Sequence, residues 1–157
     1  MYLSDSGRET ALQIVRKHRL WEVFLVEKLG FSWDEVHEVA EELEHIKSEK
    51  LISELDKFLD YPKRDPHGDP IPDAKGNFQV ANKTLLSDLS KGEKGTLVGV
   101  KDTSSEFLKY LDKNKIALGK TIKVLDKEAF DGSMLIQVDN ETLRVSTLVT
   151  VNIYIKI

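Results

Sequence analysis

The apolar positions of this chain change period once, and the change divides it into two parts. From Ser4 to about residue 60 the spacing is helical. The run "SDSGRETALQIVRKHRLWEVFLVEKLG" is rich in helix formers and stops on Gly30, a residue suited to the left-handed turn that ends a helix. Val15, Val26 and Leu29 fall on one side of it, whereas "LWEVFLV", Leu20 to Val26, is apolar almost all round. A helix of that kind is buried on more than one side, in a core or against a second subunit. Ser32 followed by Glu35 is spaced as a capping box for a second helix, with Trp33, Val36, Ala40, Leu43 and Lys47 on one stripe. Ser48 caps a third helix, "EKLISELDKFLD".

The stretch "YPKRDPHGDPIPDAKGNF" holds all four prolines of the chain and cannot be helix or central strand. Beyond it the pattern alternates. "GTLVGV", "KTIKVLD", "SMLIQVD", "ETLRVS" and "VNIYIKI" are short and β-branched, separated by Gly, Asp and Asn, and interrupted by one helical segment, "SSEFLKYLDKN". The expected fold is α+β: an all-helical domain over residues 1–73, then a small SH3-like barrel over 78–157, with the boundary near Gly76.

Composition narrows the chemistry. The chain has no cysteine, which excludes disulfides, thiolate zinc sites and iron–sulfur clusters and fits a reducing, cytoplasmic setting. No run reaches membrane-span length, so no membrane partner is expected. The net charge of −4, without a long Lys/Arg cluster, argues against direct DNA binding by these residues. No nucleophile–base arrangement or phosphate-cradling glycine motif is visible, so no enzyme activity is expected.

The polar residues of the second helix are sorted. On a wheel of about 100° per residue with Val36 at the origin, Ala40 and Leu43 mark the buried stripe, while His37, Glu41, Glu44 and His45 form an adjoining strip. Glu35, Glu38 and Glu42 lie outside it. His18 and Glu22 on the first helix are one turn apart and stack on one face. Buried polar groups must be paired, and these six side chains, on two helices, can enclose one or two divalent ions. Imidazole and carboxylate without sulfur suit manganese or ferrous iron. A solvated acidic face is the plainer reading of each residue taken singly. His67, fixed in "DPHGDPIP", reads as a loop residue that hydrogen-bonds its own turn.

"KHRLWE", "VHEVAEELEH" and "PHGDPIP", in that order, resemble the diphtheria-toxin-repressor family of metal-dependent transcriptional regulators. "EFLKYLDKNKIALGKTIKVLDKEAFDG" is similar to the FeoA-type, SH3-like domain that three-domain members carry. The resemblance implies a homodimeric repressor of metal-uptake genes. It implies Glu41, Glu44 and His45 as a primary metal site and His18, Glu22 and His37 as an ancillary one, with Asp102 the candidate ligand from the SH3-like domain. A glutamate at position 41 favours Mn2+, with Fe2+ the alternative. "YLSDSGRE" matches the segment that follows the family's wing, so operator DNA is expected to be bound only through a winged helix-turn-helix that this chain lacks. The dimer is expected through Leu20 to Leu25 and the third helix. Two other functions remain open. A di-iron carboxylate protein is suggested by the Glu42-x-x-His45 spacing. A metal-free adaptor would act through its SH3-like domain.

Overall fold

The structure, a computed structural model, describes residues 5–79 and 82–157. Tyr2 to Ser4, where the helical and family readings begin, lie outside them. The chain forms two compact units, residues 1–80 and 81–157.

The described residues of the first unit form three helices: α1 (Asp5–Leu29), α2 (Val36–Leu43) and α3 (Glu49–Phe58). Gly30 ends α1 with φ 75°, and the Phe31 amide reaches back to the Leu25 carbonyl at 3.0 Å. The all-round apolar segment is accounted for within the chain. Leu20, Trp21, Val23 and Leu25 pack with Val36 and Ala40 of α2, with Ile52, Leu55 and Leu59 from α3 and its end, and with Ile71 from the proline-rich loop. Those side chains are therefore core and do not form a surface for a second subunit. What α1 and α3 leave outside includes Leu29 and Phe58, 56% and 62% exposed, and the half-buried Phe24 against Phe58.

α2 is shorter than its pattern suggests. Ser32 and Glu35 make one of the two capping-box bonds, Ser32 N–H to Glu35 Oε2 at 3.2 Å, but the helix begins only at Val36. The Trp33 carbonyl, which a longer helix would use internally, accepts a hydrogen bond from His67 Nε2 at 2.7 Å. At the other end the helix stops at Leu43, so His45 and Lys47 lie beyond it and the wheel no longer positions them. α3 begins as expected, with Ser48 Oγ accepting from the Leu51 amide at 3.2 Å.

The loop after α3 turns inward. Asp65 Oδ1 accepts the amides of His67 and Asp69 at 3.0 and 2.8 Å, and Gly68, at φ 88°, lets the chain reverse there. The turn buries Asp65 and His67.

The described residues of the second unit form one antiparallel sheet of six strands with α4 (Ser105–Lys113) and the short α5 (Thr147–Thr150). The strands are β1 (Thr84–Leu85), β2 (Lys94–Val100), β3 (Thr121–Lys127), β4 (Met134–Val138), β5 (Glu141–Val145) and β6 (Ile153–Lys156), in the order β1-β6-β2-β3-β4-β5. Alternation is clear where it was read: Ile122 and Val124 on β3, and Met134, Ile136 and Val138 on β4, all face the core. The architecture is α+β and SH3-like. β1 and β5 end the sheet on opposite sides, so the ladders do not close it into a barrel. β1, a two-residue strand paired with β6, is too short to show a period.

Candidate metal centre

α1 places His18 and Glu22 one turn apart on the side facing α2, and the first turn of α2 brings His37 to them. One ligand atom from each of the three lies within 4.8 Å of the other two. His18 Nε2 is 3.3 Å from Glu22 Oε1, and the His37 ring stands edge-on to His18 at 4.8 Å between centroids. The site is graded in depth. Glu22 is buried, His18 half-buried and His37 exposed, which leaves an approach from solvent.

Glu44 closes the far side of His18. Its Oε2 lies 2.7 Å from His18 Nδ1. A carboxylate only accepts, so Nδ1 is the nitrogen that donates there, which leaves Nε2 as the ring atom that faces Glu22. Nε2 and Oε1 face each other at a distance that a shared proton or a metal cation can satisfy. Backing a ligating imidazole with a carboxylate on its other nitrogen is how metal-site histidines are usually held. The set of two imidazoles and a carboxylate, without sulfur, fits manganese, ferrous iron or zinc.

The remaining residues of the expected sites are placed differently. Glu41 is exposed on α2, and His45, 68% exposed, has Nε2 3.7 Å from Glu44 Oε1. Among the described residues, Glu41, Glu44 and His45 do not converge as a group of three, because α2 ends before His45 while Glu44 is engaged by His18. Asp102 belongs to the second unit, where its Oδ1 accepts the Ser104 amide at 2.8 Å just ahead of α4.

A second cluster lies behind Glu22. Glu22, Asp65 and His67 are all buried, with ligand-type atoms within 4.8 Å of one another. His67 Nδ1 is 3.2 Å from Glu22 Oε2 and 3.8 Å from Asp65 Oδ2, and its ring stacks on Trp33 at 6.1 Å. Burial pushes the Glu22 carboxyl above the usual carboxylate range, against the pull of His67. Burial would raise Asp65 too, but His67 and the Asp69 amide outweigh it and hold Asp65 low. Burial also disfavours the charged form of His67, yet Asp65 and Glu22 raise its pKa to about 10. Sequence spacing missed Asp65 and His67 as partners of Glu22. The available signal was a histidine two residues after an aspartate in a segment whose Pro and Gly force it to fold back.

The family model "Iron dependent repressor, metal binding and dimerisation domain" matches residues 4–73, and the FeoA domain model matches residues 84–156. A solved structure titled "Manganese-dependent transcriptional repressor complex with manganese" superposes with a TM-score of 0.92 at 38% identity, covering 98% of this chain and 73% of that one. The chain belongs to the diphtheria-toxin-repressor family. Within this family, the iron-dependent repressor IdeR of Mycobacterium tuberculosis is 44% identical over 70 residues, 45% of this chain and 30% of IdeR. A Chlamydia trachomatis protein named "Probable metal transport system membrane protein" is 47% identical over 70 residues, 45% of this chain and 16% of that protein. The chain thus spans under a third of these two curated relatives. No helix among the described residues is long and apolar enough to cross a membrane.

Proposed function

We propose that this chain is the metal-sensing and dimerising portion of a manganese-responsive transcriptional repressor of metal-uptake genes, acting in the cytoplasm and without enzyme activity. The observation that carries the reading is the convergence of His18, Glu22 and His37, with Nε2 of His18 facing Glu22. His18, Glu22 and His37 would hold the ion, which would supply the positive charge that their electron-rich atoms lack. His18 and Glu22 come from α1 and His37 from α2, so filling the site ties the two helices together. It favours whichever arrangement of the molecule holds all three ligands in place. Fe2+ fits the same donors, and the glutamate at position 41 favours Mn2+. Glu41, Glu44 and His45 form the second site proposed for this chain, completed by further ligands, and Asp102 is the proposed ligand from the SH3-like unit. Operator DNA is assigned to a winged helix-turn-helix and not to either unit described here.

The names of the two curated relatives both refer to metal, which supports the reading. One is named a repressor and the other a probable membrane protein of metal transport, and the stretch each shares with this chain is of the length of the helical unit. Dimerisation is assigned to the surface that Phe24, Leu29 and Phe58 leave exposed on that unit.

Titration of metal-free protein with Mn2+, followed by the electron paramagnetic resonance of free Mn2+, tests the site. The expected result is tight binding that Glu22→Ala abolishes and Glu41→Ala leaves largely intact. Unchanged binding in Glu22→Ala would overturn the assignment. Absence of any heat or thermal shift with Mn2+ or Fe2+ would favour the metal-free adaptor.

A further inference from the structure

The proposed centre has a neighbour that its ligands do not explain. His67 is 2% exposed, in a loop far from α1 in sequence, yet each of its ring nitrogens meets an acceptor. Nε2 is 2.7 Å from the Trp33 carbonyl, and Nδ1 faces Glu22 Oε2 at 3.2 Å and Asp65 Oδ2 at 3.8 Å. A neutral imidazole donates from one nitrogen only, so the doubly protonated ring is the form that satisfies both sides. Asp65 is itself fixed, because its other oxygen holds the amides of His67 and Asp69. Glu22 Oε2 is fully buried and has no hydrogen-bond donor in good geometry, so the ion-pair contact with His67 is what accompanies it.

The two oxygens of Glu22 therefore have separate neighbours. Oε1 faces His18, and Oε2 faces His67. His67 also grips Trp33, in the turn just ahead of the helix that carries His37. We propose that His67 is a positioning residue for the metal centre: through Nδ1 it keeps the Glu22 carboxylate turned so that Oε1 faces His18, and through Nε2 it sets the start of α2. This rests on the reading of His18, Glu22 and His37 as metal ligands.

Two substitutions separate the functions of the two nitrogens. In His67→Asn the amide nitrogen takes the place of Nδ1 and keeps a donor toward Glu22. In His67→Gln it takes the place of Nε2 and keeps the donor toward Trp33. Affinity for Mn2+ is measured on the full chain, with the visible spectrum of the Co2+-loaded protein as a report on the ligand shell and the melting temperature of the metal-free protein as a report on folding. His67→Gln, like His67→Asn, removes the counter-charge of Glu22 and Asp65 and should lower the metal-free melting temperature while leaving the protein folded, but it should bind Mn2+ roughly ten- to a hundredfold more weakly, the usual loss when a residue behind a ligand is removed. Its Co2+ bands should shift as the carboxylate turns away. His67→Asn should bind Mn2+ close to wild type and keep the wild-type Co2+ spectrum. Wild-type affinity in His67→Gln, or losses in both variants that simply follow their melting temperatures, would overturn the proposal. So would anomalous scattering from an ion seated between His67 Nδ1 and Asp65, because His67 would then be a ligand itself. Failure of the underlying site reading looks different: Glu22→Gln and His18→Ala would bind Mn2+ as wild type does.

Discussion

Raising the pH should destabilise the metal-free helical unit because of His67. The folded state holds the His67 proton up to about 10, whereas an ordinary histidine releases it near 6.5. Folding is therefore favoured by a proton that the unfolded chain has already lost. This contribution is complete below pH 6.5 and disappears as the pH climbs through 10. The interval from 6.5 to about 10, at about 1.4 kcal/mol per pH unit, sets a ceiling of about 5 kcal/mol. Glu22 and Asp65 share in the same balance, and unpairing a buried ion pair costs about 3–5 kcal/mol, so about 3 kcal/mol should be gone by about pH 9.5. Total stability in a domain of this kind is only about 5–15 kcal/mol, so the loss is large. The assay is urea unfolding in chelator from about pH 6.5 to 9.5, followed by tryptophan fluorescence. Both tryptophans, Trp21 and Trp33, lie in the unit spanning residues 1–80, so the signal reports that unit alone. His67→Gln removes the titrating group and should give a nearly flat profile. A flat wild-type profile, or the same slope in His67→Gln, would refute the reasoning.

Three further outcomes follow from the packing. Asp56→Ala leaves the buried Arg16, whose Nη2 is 2.8 Å from Asp56 Oδ2, without its partner, and should cost about 3 kcal/mol in urea unfolding; adding Arg16→Met should recover most of it. Leu20→Ala opens a cavity at a fully buried position of α1 and should lower stability by about 3–4 kcal/mol in the same fluorescence assay. Gly95→Ala places a methyl 2.4 Å from the Ile155 side chain and 2.7 Å from the Lys156 carbonyl, across the β2–β6 neighbours; it should cost about 2 kcal/mol or more, read as faster amide exchange in β2 and β6 while the tryptophan signal stays unchanged.

Much of the fold was legible because local chemistry agreed with tertiary structure. Gly30 ends α1 through its left-handed backbone turn, and Ser48 caps α3 by accepting the Leu51 amide on its side-chain oxygen. Val36 and Ala40 of the apolar stripe are buried. Legibility failed where a distant residue intervened. The first turn expected for α2 gives its Trp33 carbonyl to His67 instead, and Glu44 goes to His18. β1 is two residues of a six-stranded sheet and carries no period. For the site, helical spacing grouped His18 with Glu22, because one turn is a local fact. That Asp65 and His67 close in behind Glu22 is decided by how the proline-rich loop folds back, which spacing within an element cannot express.

The sheet of the second unit has two outermost strands, and neither invites growth. β1 offers only two residues, and β5 turns Glu141, Thr142 and Arg144 to solvent. Short or charged rims discourage the stacking of one sheet onto another, an aggregation route open to any strand without a neighbour. Concentrated solutions of this chain should therefore resist fibrillar assembly, and whatever association they show should trace to the helices.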